Sequence, residues 1–293
     1  MRSKRNEKVA AELIHHEYGK SSVRVTRVRR LADRHELVEL NVDITLSGAF
    51  ERSYTHGDNS AVVATDSMKN TVYLLAKSHP LDSPESFAMH LAKHFVETYP
   101  QVNIGTVECR QSNWRRIEVA GAGHPTAFES GGAETRCARV TVDRKNSSPE
   151  IRGMLRDLLI LKTTDSAFAG FVRDQFTTLP ETSDRILATE LTAEWIFLSP
   201  FADFNTAFSR IRSAMVETFA THKSDAVQQT LLEMATAALA AVPSIGFITL
   251  RMPNKHRVPF NFKPFGLEFN NDVYMTTDEP SGMIAATLKR KDA

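Results

Sequence analysis

Residues 21–30, SSVRVTRVRR, and 36–50, ELVELNVDITLSGAF, decide the fold. Val23, Val25 and Val28 interleave with charged residues, and the second run alternates in the same way. Alternation with β-branched residues marks strands that have one wet face. The period then changes. Residues 60–77 and 84–98 carry apolar positions at helical spacing, and in the second run Phe87, Ala88, Leu91 and Phe95 make one stripe. Ser83 suits the N-cap, Pro84 the first helical position and Glu85 the first turn. Thr65 or Asp66 suits the N-cap of the helix that carries Lys69 and Tyr73. Strand character returns at 101–121 and, after a turn at Gly131-Gly132, at 134–143.

The second half follows the same order. Strand-like runs at 151–163 and 186–198 precede helical runs at 202–221 and 225–241. Strands at 244–252, 256–262 and 272–288 close the chain. Asp203 or Ser199 suits the cap of the first of these helices, and Val242-Pro243 ends the second, because the residue before Pro disfavours helix. Both halves read strand–strand–helix–helix–strand–strand, although no residue-level repeat is visible. The polar segment RKNSSPE, 144–150, is the expected linker. The expected organisation is a charged arm over 1–17, a first unit over 18–147 and a second over 148–293.

The bulk properties exclude several classes. A length of 293 residues allows one large domain or two ordinary ones. A formal net charge of +1 lacks the basic excess of a general nucleic-acid binder. No apolar run approaches the ~20 residues of a membrane span. MRSKRNEKVAAELIHHE has no continuous apolar core, so no secretory signal is expected, and the ending KRKDA is not a Ser-Lys-Leu peroxisomal address. A cytoplasmic location is the expectation. Cys109 and Cys137 are too few for a disulfide framework or a four-thiolate metal site, and both are expected to be reduced and non-catalytic. No metal-ligand motif stands out among the ten histidines. Gly57-Asp58-Asn59-Ser60 lacks the Gly-Lys-Ser/Thr that would secure a phosphate loop.

One stretch suggests a ligand. In residues 158–185, LLILKTTDSAFAGFVRDQFTTLPETSDR, an apolar run ends at Lys162 and a polar loop presents Phe168 before Arg185. A ring face offers a wall for a flat heterocycle. A guanidinium offers a fork of donors for a planar anion. Taken alone, the window equally fits a core Phe and a surface Arg. Lys20 alone fits a solvated surface charge, Gln228 a solvated helix residue, and Asn254 a turn before the next strand.

The order Leu161-Lys162-Thr163-Thr164-x-Ser166-x-Phe168-x-x-Phe171, then Phe176, Leu179 and Arg185, resembles the signature of the urate oxidase (uricase) family. So do Tyr18-Gly19-Lys20 before VRVTRV, Gly57-Asp58-Asn59-Ser60 before VVATDSMKNTVY, Val227-Gln228-Gln229, and Pro253-Asn254-Lys255-His256. These blocks keep the family's order and span nearly the whole chain.

The resemblance implies an α+β fold of two tandem T-fold units. Each unit is an antiparallel four-stranded sheet with two helices on one face. Two chains close their sheets into an intersubunit barrel, and two rings stack into a homotetramer. It implies oxidation of urate by dioxygen and water to 5-hydroxyisourate and hydrogen peroxide, with no cofactor and no metal. Lys20, Thr65 and His256 become the catalytic set. Asp66, Phe168, Leu179, Arg185, Val227, Gln228 and Asn254 become substrate-binding residues, with Lys20 and Thr65 supplied by one chain and Phe168, Arg185, Gln228 and Asn254 by its neighbour. Three positions depart from the family pattern: Ala169, Pro180 and Met252. They bear on the packing behind Phe168 and the stiffness of the 177–183 loop. Two rivals share the chemistry of a flat heterocycle. One is a T-fold pterin or purine enzyme of another reaction class, which usually anchors its ring with a Glu and often needs zinc. The other is a non-catalytic purine-binding protein.

Overall fold

The computed structural model describes residues 11–146 and 148–291. Residues 1–10 of the expected arm, Ser147 of the expected linker, and Asp292 and Ala293 lie outside the described residues. Eight strands form one antiparallel sheet. In spatial order they are β1 (Tyr18–Arg30), β2 (His35–Gly48), β3 (Val102–Gln111), β6 (Thr135–Asp143), β7 (Glu150–Lys162), β8 (Leu187–Phe197), β9 (Ile245–Pro259) and β10 (Tyr274–Lys289). A separate hairpin, β4 (Trp114–Val119) and β5 (Ala122–Ser130), is inserted between β3 and β6. Helices α2 (Thr65–Ser78) and α3 (Pro84–Thr98) pack on the first four strands of the sheet, and α4 (Phe204–Thr221) and α5 (Val227–Ala241) on the last four. A short helix, α1 (Glu51–His56), precedes α2. This is the α+β architecture of tandem units that the alternation of periods predicts. No helix among the described residues is long and apolar enough to cross a membrane.

The two sheet faces differ in chemistry, as period-two sequences require. Leu40, Val42, Ile44 and Leu46 of β2 are buried against the helices, with Phe87, Leu91 and Phe95 of α3. Residues between them point the other way and carry charge. There Glu108 collects Arg139 at 2.7 Å and Arg110 and Arg156 at 3.2 Å each, and Arg110 also reaches Asp43 at 2.7 Å. Burial raises the Glu108 carboxyl, but the Arg139 hydrogen bond and the surrounding arginines outweigh it and hold the group below its ordinary value. Cys109 and Cys137 are buried free thiols. Burial pushes Cys137 up to about 12 and Cys109 up as well, so neither offers a thiolate at neutral pH.

Several expectations are corrected. Ser83 and Asp203 do cap α3 and α4, accepting from the Ser86 and Thr206 N–H groups at 3.1 Å each. Neither Thr65 nor Asp66 caps α2: Ala64 holds that position without a side-chain bond, and Asp66 is engaged by Lys69 and Asn70 instead. The run at 36–50 ends as strand at Gly48 and turns into α1, a helix with no buried residue and hence no apolar period to read. The run at 101–121 is two strands, β3 leaving the main sheet at Gln111 and β4 pairing with β5 through a turn at Ala120-Gly121, both at positive φ. The expected break at Pro253 is absent. β9 runs straight through it: Pro253 keeps register with Met283 of β10, while the pairs with β8 skip from Asn254 to Arg251.

Close packing also sets a testable limit on the core. A Cβ on Gly153 of β7 would lie 2.4 Å from Nε1 and 2.6 Å from Cε2 of Trp195 on β8, whose ring is 1% exposed. The indole is rigid and enclosed by α4, so it cannot swing aside. Gly153→Ala is expected to destabilise the protein by about 1–3 kcal/mol through overpacking. Equilibrium denaturation would measure it, and an unchanged midpoint would mean that the core yields more easily than its packing indicates.

Candidate functional site

The functional candidates form two clusters, one at each end of the sheet. The first is built on β1. Gly19 pairs with Thr45, where a Cβ would lie 1.8 Å from the Ile44 carbonyl oxygen, so only glycine allows this approach. Lys20 stands opposite Ile44, on the helix-bearing face, and an extra residue follows it before Val23 meets Val42. At this bulge Ser22, at positive φ, donates its N–H to Asp43 at 2.6 Å. Thr65 opens α2 beside this strand and is exposed. Asp66 accepts from Lys69 at 2.6 Å and from Asn70 at 3.0 Å. The Lys69 bond first, with the charge of Lys20 adding to it, holds the Asp66 carboxyl below its ordinary value. Lys20, Thr65 and Asp66 therefore share one local electrostatic field, next to a helix N-terminus that no side chain caps.

The second cluster lies between β7, β8 and α5. Phe168 exchanges both backbone hydrogen bonds with Thr182, at 2.8 and 3.0 Å, which closes the 168–182 loop. Asp184 ties the loop base down by accepting from the Thr164 hydroxyl at 2.9 Å, while its carbonyl accepts from the Thr182 hydroxyl at 2.7 Å. The same loop reaches α5. The Ala167 N–H donates to the Ser224 carbonyl at 2.7 Å, and the Ser224 N–H donates to the Asp165 carbonyl at 2.9 Å. Val227 and Gln228 open α5 three residues later, and Ala226 gives that helix no side-chain cap. Val227 is buried and Gln228 exposed. One set of bonds thus places Phe168 and the α5 N-terminus together.

Arg185 has its guanidinium 5.2 Å from the Phe168 ring centroid. Its Nε is buried with no hydrogen-bond partner, and no carboxylate stands within ion-pair distance among the described residues. Burial lowers its pKa from the ordinary arginine value. The ring of Phe171 stacks on Phe168 at 4.7 Å and 13°, which supplies the packing that the small Ala169 cannot. Leu179 and Pro180 are exposed at the rim of the loop, and Met252 is fully buried in the core. Asn254 sits on β9 opposite Thr189 of β8 and Gly282 of β10, and His256 lies two residues on, opposite Thr277. Asp184 and Ser224 were not singled out in the sequence. The only signal for them is their place beside Arg185 and Val227.

Within one chain the two clusters do not meet. β1 and β8 are separated by five inter-strand steps, ~24 Å along the sheet at ~4.8 Å per step. A lysine side chain spans about a quarter of that. Asn254 and His256, one strand further, also belong to the second cluster and not to Lys20 and Thr65 of the same chain. No group of three or more His, Cys, Asp or Glu among the described residues is placed to hold a metal ion.

Known proteins share this arrangement along the whole chain. A family model described as uricase matches residues 16–141 and 152–285. A uricase of Dictyostelium discoideum is 39% identical over 282 residues, which is 96% of this chain and 98% of that protein. A uricase of Arthrobacter globiformis is 39% identical over 275 residues, covering 94% and 89%. The crystal structure of the Arthrobacter globiformis uricase superposes with a TM-score of 0.91 at 38% identity, covering 97% of this chain and 96% of that one. A match over both halves, with the four-strand pattern intact in each, leaves one assignment: this chain belongs to the uricase family.

Proposed function

We propose that this urate oxidase converts urate, dioxygen and water to 5-hydroxyisourate and hydrogen peroxide, without a cofactor, at sites shared between two chains of a homotetramer. The atoms balance. Urate loses two electrons to dioxygen, a peroxo adduct forms on the purine, and water replaces the peroxide, which leaves as hydrogen peroxide. The observation that carries the reading is Arg185. A half-buried guanidinium with a buried, unpartnered Nε and no carboxylate within ion-pair distance among the described residues suits a planar anion whose edge carries only acceptors. Gln228 would meet the opposite edge, since a primary amide both donates and accepts. The Val227 N–H, first in an uncapped helix, would point to a carbonyl of the ring. Phe168 would support one face of the ring, Leu179 its rim, and Asn254 the space above it where dioxygen and then water sit.

Lys20 and Thr65 would come from the neighbouring chain. β1 and β10 are the open edges of the sheet, and pairing them between two chains closes a barrel and removes both edges. It would also carry the Lys20 cluster of one chain toward the Asn254 cluster of the other. Lys20 would take a proton through the Thr65 hydroxyl, Asp66 would help position Thr65 and the substrate, and His256 would complete the relay, since one ring nitrogen can donate while the other accepts. The direct test mixes purified protein, freed of metals by chelation, with urate in air. Loss of urate absorbance with one hydrogen peroxide formed per urate is expected. Turnover that appears only when a metal is returned would refute the cofactor-free reading.

Three substitutions probe the residue roles. Lys20→Met is expected to lower kcat by ~10²–10⁴-fold, the usual contribution of a positioned base, while leaving the affinity for a non-reacting purine nearly unchanged. Arg185→Ala and Gln228→Ala should each weaken that affinity by about 1–3 kcal/mol, Arg185 more, because each leaves a polar edge of the ring unmet. Calorimetry with xanthine would measure this, and unchanged binding in both would place the clamp elsewhere.

The shared site predicts complementation. Lys20→Met and Arg185→Ala chains, each strongly impaired at urate concentrations below the weakened affinity, are unfolded and refolded together. A mixed pair then holds one site with both defects and one with none. Activity should return in the mixture and in neither variant refolded alone. If the two variants demonstrably co-assemble and stay inactive, each site lies within a single chain.

A further inference from the structure

Lys20 and Thr65 lie on different elements, β1 and α2, so some contact must fix the gap between them. Tyr18 stands two residues before Lys20, and Val63 two residues before Thr65. The Tyr18 hydroxyl accepts the Val63 N–H at 2.7 Å and donates to the Val63 carbonyl at 3.3 Å. Both hydrogen-bonding capacities of the phenol are spent on one residue of the segment that leads into α2. Tyr18 pairs with Leu46 and Lys20 with Ile44, so the two side chains share a face of the strand. The tie from 18 to 63 therefore lies two residues before Lys20 on β1 and two before Thr65 on α2, where α2 packs on β1 and the charge of Lys20 reaches Asp66.

The ring that carries this hydroxyl is itself held. Phe50 meets it edge-on, with centroids 4.9 Å apart and planes at 89°. Burial raises the phenol above its ordinary pKa, so it keeps its proton at neutral pH. A second tie, the Tyr73 hydroxyl donating to the Arg24 carbonyl at 3.1 Å, anchors α2 further along β1. Loss of the Tyr18 hydroxyl would thus change the start of α2 and leave the helix docked.

We propose that Tyr18 is a positioning residue for the oxidation: by holding Val63 it sets the separation of Lys20 and Thr65, and it touches no substrate. This rests on the reading of Lys20 and Thr65 as the proton-transfer pair. The test compares Tyr18→Phe, Thr65→Ala, their double variant and Lys20→Met as full-length assembled protein, by kcat and by the Kd of xanthine. Tyr18→Phe is expected to lower kcat at least tenfold and leave the xanthine Kd within twofold, because the ring anchors belong to the other cluster. In the Thr65→Ala background the same change should alter kcat less than twofold, since there is no longer a hydroxyl to place. A kcat for Tyr18→Phe within twofold of wild type, a parallel loss of xanthine binding, or additive losses in the double variant would each overturn the proposal. Wild-type kcat in Lys20→Met and Thr65→Ala would instead overturn the proton-transfer reading beneath it. Should Tyr18→Phe not fold, Phe50→Leu keeps the hydroxyl but frees the ring, and it must lower kcat without moving the xanthine Kd.

Discussion

An antiparallel sheet of eight strands with helices on one face only has two open edges, and most of this structure depends on what those edges do. Exposed edge strands invite pairing with another chain. β1 does little to prevent it: it is 13 residues long and uninterrupted but for the bulge after Lys20. β10, at the other edge, is 16 residues long. Both edges carry or adjoin residues of the proposed site. Lys20 lies on β1 itself, and Asn254 and His256 lie on the strand that β10 covers. If the edges pair between chains as proposed, an edge is a suitable place for half a site, because assembly then completes the fold and the chemistry in one event.

The loop cluster is rigid for a different reason. It is tied at three levels: backbone to backbone from Phe168 to Thr182 and from Ala167 to Ser224, and side chain to side chain from Thr164 to Asp184. None of these bonds belongs to the main sheet. They let a 24-residue connection between β7 and β8, exposed over much of its length, hold one ring and one guanidinium in fixed relation. Phe171 then stacks behind Phe168, so the wall is two rings thick. The exposed Val172 and Phe176 lie beyond that stack, where they add nothing to it.

How much of this was legible in the sequence follows from range. Elements whose apolar period faces a core could be read: α3 from Phe87, Leu91 and Phe95, β2 from its alternation, and the caps from Ser83 and Asp203, whose N–H donors lie three residues away. Features decided by distant partners could not be read. Pro253 signals a break locally, yet β9 passes through it, in register with β10 while its pairing with β8 skips that position. Thr65 and Asp66 look like caps, yet Asp66 is drawn to Lys69. α1 buries nothing, and the β4–β5 hairpin turns at an Ala-Gly pair with no strong local signal. The site residues were legible only as a family pattern. Their types are common surface types, and nothing in the sequence alone says that Arg185 has no acid to pair with.

That missing acid is the most telling feature of the site. Elsewhere in the chain, arginines of similar burial find acceptors. Arg136 reaches Glu85 and Asn205, Arg212 grips Glu134 with two bonds, and Arg144 gathers carbonyls at the end of α3. Among the described residues, Arg185 meets only the face of Phe168. A cation over a ring recovers part of the desolvation it suffers, on the order of 1 kcal/mol, and not the whole of it. The fold therefore keeps a half-buried positive charge poorly compensated while compensating its neighbours well. An acid at that point would stabilise the chain and would also compete with an anionic ring for the same fork of donors. Asp184, Thr182 and Ser224 hold the surrounding loop through their own hydrogen bonds, so closing that loop does not draw on the guanidinium of Arg185.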